Sequence, residues 1–378
     1  MLRWPTTFLL IQGLVSGLAG AAESRAKPAL TLDAVLESLG FSSESRTSLL
    51  EGETIVRDLD ALGENDIGVT LALVVPHPPR EVMDFLFSEE GVKLDPNVRE
   101  FKELAGEKTR DDDLKGVTFV GEESSELASL IDVEEGYDVN LGSDEIEQMG
   151  AVRKEFPDAS PDSDAECAVA VNRAHRRMLL ERCRAYQEGG LDSVRGYARG
   201  DTNSLPGKEL RLALEKDRLL AERFPDLRRA VLGYPKGEKR EFESRLYWLK
   251  ETIDGRPAFA LGQRTFYRWS DGGIVVDRQF YVGHSYNSLH SVTGAIPLEK
   301  GTLVFYTYRM FTDEVTGFAS ALKRLLATNE LKSDLDGQSK NLEPRLEEWL
   351  KTRPKGEPAR GAETSEAPTG GPPMEKKG

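Results

Sequence analysis

Four histidines, two cysteines and a few arginines set in aromatic runs are the side chains of this 378-residue chain whose type and spacing could carry chemistry. Gly283-His284-Ser285-Tyr286-Asn287 comes close to the G-x-S-x-G elbow that presents a nucleophilic serine. That motif needs a strand before it, a helix after it and a final glycine where the helix packs on the strand. Asn287 fills the last position and Leu289–Leu298 reads as strand, so a hairpin turn is the better account. His284 and His290 then flank that turn on neighbouring strands, where a cross-strand contact is expected. A metal centre needs three or four converging ligands, and no cysteine or His-x-x-x-His spacing supplies them. Neither a metal nor a cofactor is expected. His175 sits on an Arg-rich helix face and reads as solvent-facing, while His77 lies among prolines that turn the chain. Asp111-Asp112-Asp113 lacks the alternation, central glycine and closing glutamate of an EF-hand loop and reads as a surface acidic run.

The cysteines fall within one helix. Ser163-Asp164-Ala165-Glu166 reads as a capping box with Ser163 as N-cap, and Gly189-Gly190 stops the helix. Cys167 and Cys183 would then lie roughly 24 Å apart, far beyond the limit of about 7 Å between Cα atoms of a disulfide. Free thiols are predicted.

The elements that must position any site follow from the periodicities. Residues 53–59 look extended, Ile67, Val69, Leu71, Leu73 and Val75 alternate as a strand, and Pro79 opens a helix to Phe87. Residues 241–253, 257–269, 274–284, 289–298 and 302–311 are rich in aromatic and β-branched residues. Asp254-Gly255, Asp271-Gly272-Gly273, Ser285–Ser288 and Lys300-Gly301 separate them, which describes an antiparallel meander. Large apolar groups occupy both faces of these strands, so both faces should be covered. Arg264, Arg278 and Arg309 stand out there, because a guanidinium on a covered sheet needs a carboxylate or a ligand anion. A long helix follows, opened by Thr312 or Asp313, with Val315, Phe318, Leu322, Leu325 and Leu326 as its buried stripe and Pro344 as a break or end.

Five segments result. Residues 1–21 carry Arg3, an apolar run and Ala19-Gly20-Ala21, the pattern of a cleaved signal peptide too short to span a bilayer. Residues 22–90 hold short helices and the first strands, 91–240 a mostly helical insertion, 241–350 the meander and last helix. Residues 351–378 lack large apolar groups until Met374 and should be disordered. The expected protein is exported and soluble, periplasmic or extracellular, without a membrane span. A net charge of −15 makes nucleic acid a poor partner. Residues 111–150 are acidic against the single Lys115, whereas 171–240 are net basic. Both can be solvated faces, or they can face each other as an electrostatic latch.

Strand, helix, meander and one long closing helix resemble the helix-grip fold of the START and Bet v 1-like (SRPBCC) superfamily. The resemblance rests on Ile67–Val75, Pro79–Phe87 and Phe242–Leu326. Five strands after the helical part, where the family usually has six, and the large insertion depart from it. Leu246-Tyr247-Trp248 and Gln279–His284 also resemble segments of exported bacterial proteins without an assigned activity. The fold class expected is α+β, a curved antiparallel sheet around a long C-terminal helix. In the superfamily the gap between sheet and helix holds an apolar ligand such as a lipid or sterol, or a cyclase or hydrolase site.

The resemblance therefore implies a hydrophobic or amphipathic small molecule or lipid, held near Trp248, Tyr267, Phe280 and Tyr306 and against Phe318, Leu322 and Leu325. Arg309, or Arg264 or Arg278, would anchor an anionic head group. A scaffold or interaction protein of the cell envelope without a ligand is the alternative. An acid–base enzyme using His284, His290 and one arginine ranks third, so no catalytic residue is assigned.

Overall fold

The computed structural model describes residues 30–353 except 105, 107, 238–240 and 318. The leader expected at 1–21 and the tail from 354 onward lie outside the described residues. Strand-forming sequence alternates with turn residues as the spacing predicts. β1 (Ile55–Asp58), β2 (Asp66–Val75), β3 (Val98–Glu103), β4 (Phe242–Ile253), β5 (Arg256–Trp269), β6 (Gly272–Val282), β7 (Ser288–Pro297) and β8 (Thr302–Phe311) join in one sheet. Its order is β1-β2-β8-β7-β6-β5-β4-β3, and every pairing is antiparallel. Asp254 and Gly255 adopt φ of 52° and 78°, the left-handed pair that lets β4 turn into β5 in two residues.

β2 pairs with β8 from Thr302↔Val75 to Phe311↔Asp66, so the first long strand closes one side of the meander. From β2 the helix Pro79–Leu86 crosses one face of the sheet, and the chain returns at the opposite edge as β3. β3 was not legible in the sequence: Val-Arg-Glu-Phe-Lys-Glu is mostly charged, which suits an exposed edge strand. The insertion then covers the other face. Its long helix Ala165–Gly189 lays Tyr186 on Phe280, with ring centroids 4.0 Å apart and planes within 5°. The Tyr186 hydroxyl donates to Gln263 Oε1 at 2.8 Å.

The result is α+β: a curved antiparallel sheet around a long terminal helix on one face, and a large helical insertion on the other. The helix Ala165–Gly189 is capped by Asp164, not Ser163; its carboxylate accepts from the amides of Glu166 and Cys167, each at 2.9 Å. Cys167 and Cys183 are buried and unpaired on it, as predicted. Burial pushes the Cys183 thiol up to about 12, which leaves it inert. His175 is not solvent-facing. It is buried and stacked on Phe119 at 5.7 Å, and burial lowers it to about 4.

The terminal helix Ser320–Thr352 also departs from expectation. Thr312 caps only a short turn, Asp313–Val315, and left-handed Ala319 sets the helix start at Ser320. The face turned to the sheet therefore carries Leu335, Leu342 and Leu346, while Leu322, Leu325 and Leu326 are 57, 56 and 61% exposed. Pro344 lies inside the helix rather than ending it, and Lys351 and Thr352 of the expected tail are helical.

Candidate functional site

Between the sheet and the terminal helix lies a cavity of about 610 Å³. The helix is fastened near both ends and leaves the middle as a roof. Arg324 Nη2 donates to the carbonyls of Gly63 (3.0 Å) and Glu64 (2.6 Å), and Lys332 meets Asp58 at 2.5 Å. At the far end Trp349 packs edge-on against Phe85 at 5.7 Å, and Arg353 pairs with Asp84 at 3.1 Å. Leu331, Asp334, Leu335 and Leu342 form the roof between these fastenings.

Most of the floor comes from residues of the meander strands, with Ile67, Leu71 and Leu73 of β2 beside them. Tyr247, Leu249 and Glu251 arise from β4, Arg264 from β5, Asp277 and Gln279 from β6, Ser291 from β7, and Tyr306 and Tyr308 from β8. Gly262 is needed at this place, because a Cβ there would run into the Tyr247 ring. The Tyr247 hydroxyl donates to Asp277 Oδ1 at 2.6 Å, and burial raises the Asp277 carboxyl above its ordinary range.

The floor is polar and negative where a lipid-type cavity would be apolar. Glu251 is 8% exposed and has no ion-pair partner among the described residues. Its Oε1 lies 2.7 Å from the Tyr286 hydroxyl, which also meets Gln279 Oε1 at 2.5 Å. A phenol has one hydrogen, so a protonated Glu251 donating back to it satisfies all three groups. Burial raises Glu251 to about 7, with the charge of nearby Asp95 adding to the shift. Asp95 is itself raised by burial, with Asp334 adding to it.

The structure brings only part of the expected set together. Tyr306 lines the cavity. Trp248, Tyr267 and Phe280 face the insertion instead: Trp248 Nε1 donates to the Asp113 carbonyl at 3.1 Å, Tyr267 joins Phe224 and Phe242, and Phe280 lies under Tyr186. Strand alternation forces this, since Trp248 neighbours the inward Tyr247 and Leu249. Leu322 points to solvent, and Phe318 lies outside the described residues.

The arginines are committed elsewhere. Arg309 pairs with Asp66 and donates to the Asp60 carbonyl at 3.0 Å. Arg278 donates to the Val231 carbonyl at 3.0 Å and to Gln263. Arg264 lines the cavity but donates to the Leu86 carbonyl at 2.9 Å, closing the Pro79–Leu86 helix, and lies 3.5 Å from Asp277. None is a free anchor for an anion.

His284 and His290 are buried but do not line the cavity. His290 faces Asp217 of the insertion at 3.4 Å. His284 Nδ1 meets Ser285 Oγ at 2.8 Å. Ser285 sits in the β6–β7 turn with φ of 68°, followed by strand and not by the helix a nucleophile elbow requires. Among the described residues, one carboxylate–histidine grouping could hold a metal ion: His77, Glu343 and Glu347, with both glutamates exposed.

No described helix is long and apolar enough to cross a membrane. Compared with known proteins, the chain matches no protein-family model and no curated sequence. The likeness to the helix-grip superfamily therefore stands on the topology of sheet and helix.

Proposed function

We propose that this protein binds an amphipathic small molecule in the cavity between the sheet and the terminal helix, and holds it without transforming it. The observation that carries this reading is the cavity itself: about 610 Å³ falls within the usual range, roughly 300–1,000 Å³, of small-molecule sites. Its lining is mixed. Leu71, Leu73, Leu86, Leu335 and Leu342 gather toward the Pro79–Leu86 helix, whereas Tyr247, Tyr286 and Glu251 lie toward the β3 edge. An amphipathic occupant suits such a division. The proposal takes the protein to be exported on the strength of residues 1–21, which N-terminal sequencing of the mature chain would check.

Native mass spectrometry of gently purified protein tests the binding. A ligand adduct that leaves on denaturation supports it; a bare apo mass that stays bare after incubation with C10–C16 amphiphiles rules it out. The exposed Leu322, Leu325 and Leu326 favour a second reading, an envelope interaction protein that uses the outer face of the terminal helix. A stoichiometric protein partner lost on replacing these three leucines with Ser would favour it.

A further inference from the structure

The charge of the cavity selects the class of its occupant. Among the described residues Arg264 is the one cation in the lining; its Nη atoms meet the Phe87 and Leu86 carbonyls and its Nε lies 3.5 Å from Asp277, while Asp95, Glu251, Asp277, Glu330 and Asp334 all contribute to the wall. Glu251 is the strongest of these observations. It is more than nine-tenths buried, it lines the cavity, and Oε2 takes no hydrogen bond among the described residues. That oxygen is left free to meet a group that enters the cavity from outside the chain.

A small metal ion does not fit this demand. Among the described residues no three carboxylates of the cavity wall come close enough to share one ion. Four tyrosines do line the space: Tyr247, Tyr286, Tyr306 and Tyr308, the last two with ring centroids 6.0 Å apart. Aromatic faces beside dispersed carboxylates suit a diffuse organic cation, which ring quadrupoles attract and which needs no tight chelate.

We propose that the polar end of the occupant is cationic, an alkylammonium group seated against Glu251 and Asp95 beside the rings of Tyr247, Tyr286 and Tyr308, with its chain toward Leu335 and Leu342. This rests on the reading of the cavity as a ligand site. The groups facing Glu251 are Tyr286 from the β6–β7 turn, Asp95 from the segment before β3, Tyr247 on its own strand, and Tyr308 on β8, with Asp334 of the terminal helix behind Asp95. None of them is a cation. Arg264 acts on Tyr247, Tyr306 and Asp277 beside this cluster.

Three probes of equal chain length separate the possibilities: decyltrimethylammonium, decyl sulfate and decanol, each titrated below its micelle concentration by calorimetry. The ammonium should bind at least about tenfold more tightly than either of the others. Glu251→Gln should remove most of that preference, weakening the ammonium far more than decanol. Because the ammonium favours the ionised carboxylate, its binding at pH 7 should release roughly half a proton, read from heats in buffers of different ionisation enthalpy. Decanol should release none. Sulfate or decanol binding as tightly as the ammonium overturns the cationic class and leaves the ligand site standing. Binding of none of the three overturns the ligand site as well. Ammonium binding without proton release, and unchanged in Glu251→Gln, places the cation elsewhere and overturns this assignment.

Discussion

Glu251 and His175 are buried titratable groups whose effects on stability oppose each other. Glu251, with an ordinary value of 4.5 raised to about 7, keeps a proton in the native state that the unfolded chain has lost between those limits. Stability therefore falls as pH rises through that window, by about 3 kcal/mol at most. His175 runs the other way. Its value drops from 6.5 to about 4, so the unfolded chain takes up a proton first and stability is lost as pH falls below 6.5. The two offset each other between about pH 4.5 and 6.5, and removing one exposes the other. Glu251→Gln should raise the unfolding free energy by about 1–3 kcal/mol at pH 8 and change it little near pH 4.5. Urea denaturation at the two pH values checks this, and an equal change at both would show that ionisation of Glu251 is not penalised by burial. At this scale the sequence was partly legible. It marked Tyr306 and the three arginines as exceptional, but it could not tell which face each side chain takes. β6 shows why. The register shifts opposite Leu261 and Gly262, and both Phe280 and Tyr281 end on the insertion side, as the extra residue of a bulge allows. The missed signal was Glu251 and Asp277, acidic residues placed on strands covered on both faces.

At the scale of elements, the meander was legible because its turn residues fix both ends of each strand. The terminal helix was not. Leu322, Leu325 and Leu326 have helical spacing, but the helix begins only at Ser320 and its first turns extend past the sheet. Amphipathic spacing shows that a helix has an apolar stripe; the neighbouring sheet decides which stripe is covered. Leu335→Ala or Leu342→Ala should accordingly lower stability by about 2–4 kcal/mol. Leu322→Ala or Leu325→Ala should stay within about 0.5 kcal/mol. Thermal unfolding of the four variants decides between the stripes, and a larger loss at Leu322 or Leu325 would reverse the assignment.

For the whole molecule, two faces of one sheet carry different duties. The insertion face is filled by aromatic stacking and holds a buried ion pair in which Arg182 grips Glu145 at 2.5 and 2.8 Å, with Arg195 at 3.3 Å. Here the acidic and basic segments do meet. The contact is one buried pair and its neighbours, while Glu123 and Glu126 turn instead to Lys250 and Arg256 of the sheet. Arg182→Met should lower stability by about 3–5 kcal/mol, because the buried Glu145 would keep only the partly exposed Arg195 at 3.3 Å. Equilibrium denaturation checks that loss, and a variant as stable as the wild type would show the pair to be dispensable. The opposite face keeps the space, and the account depends on that space being a ligand site. The most direct measurement is saturable binding of a fluorescent single-chain amphiphile to the wild type, to Tyr306→Ala in the cavity, and to Tyr267→Ala on the insertion face. The account predicts about tenfold weaker binding for Tyr306→Ala and a change within about twofold for Tyr267→Ala. Equal weakening in both variants, or no saturable binding by the wild type, would contradict it.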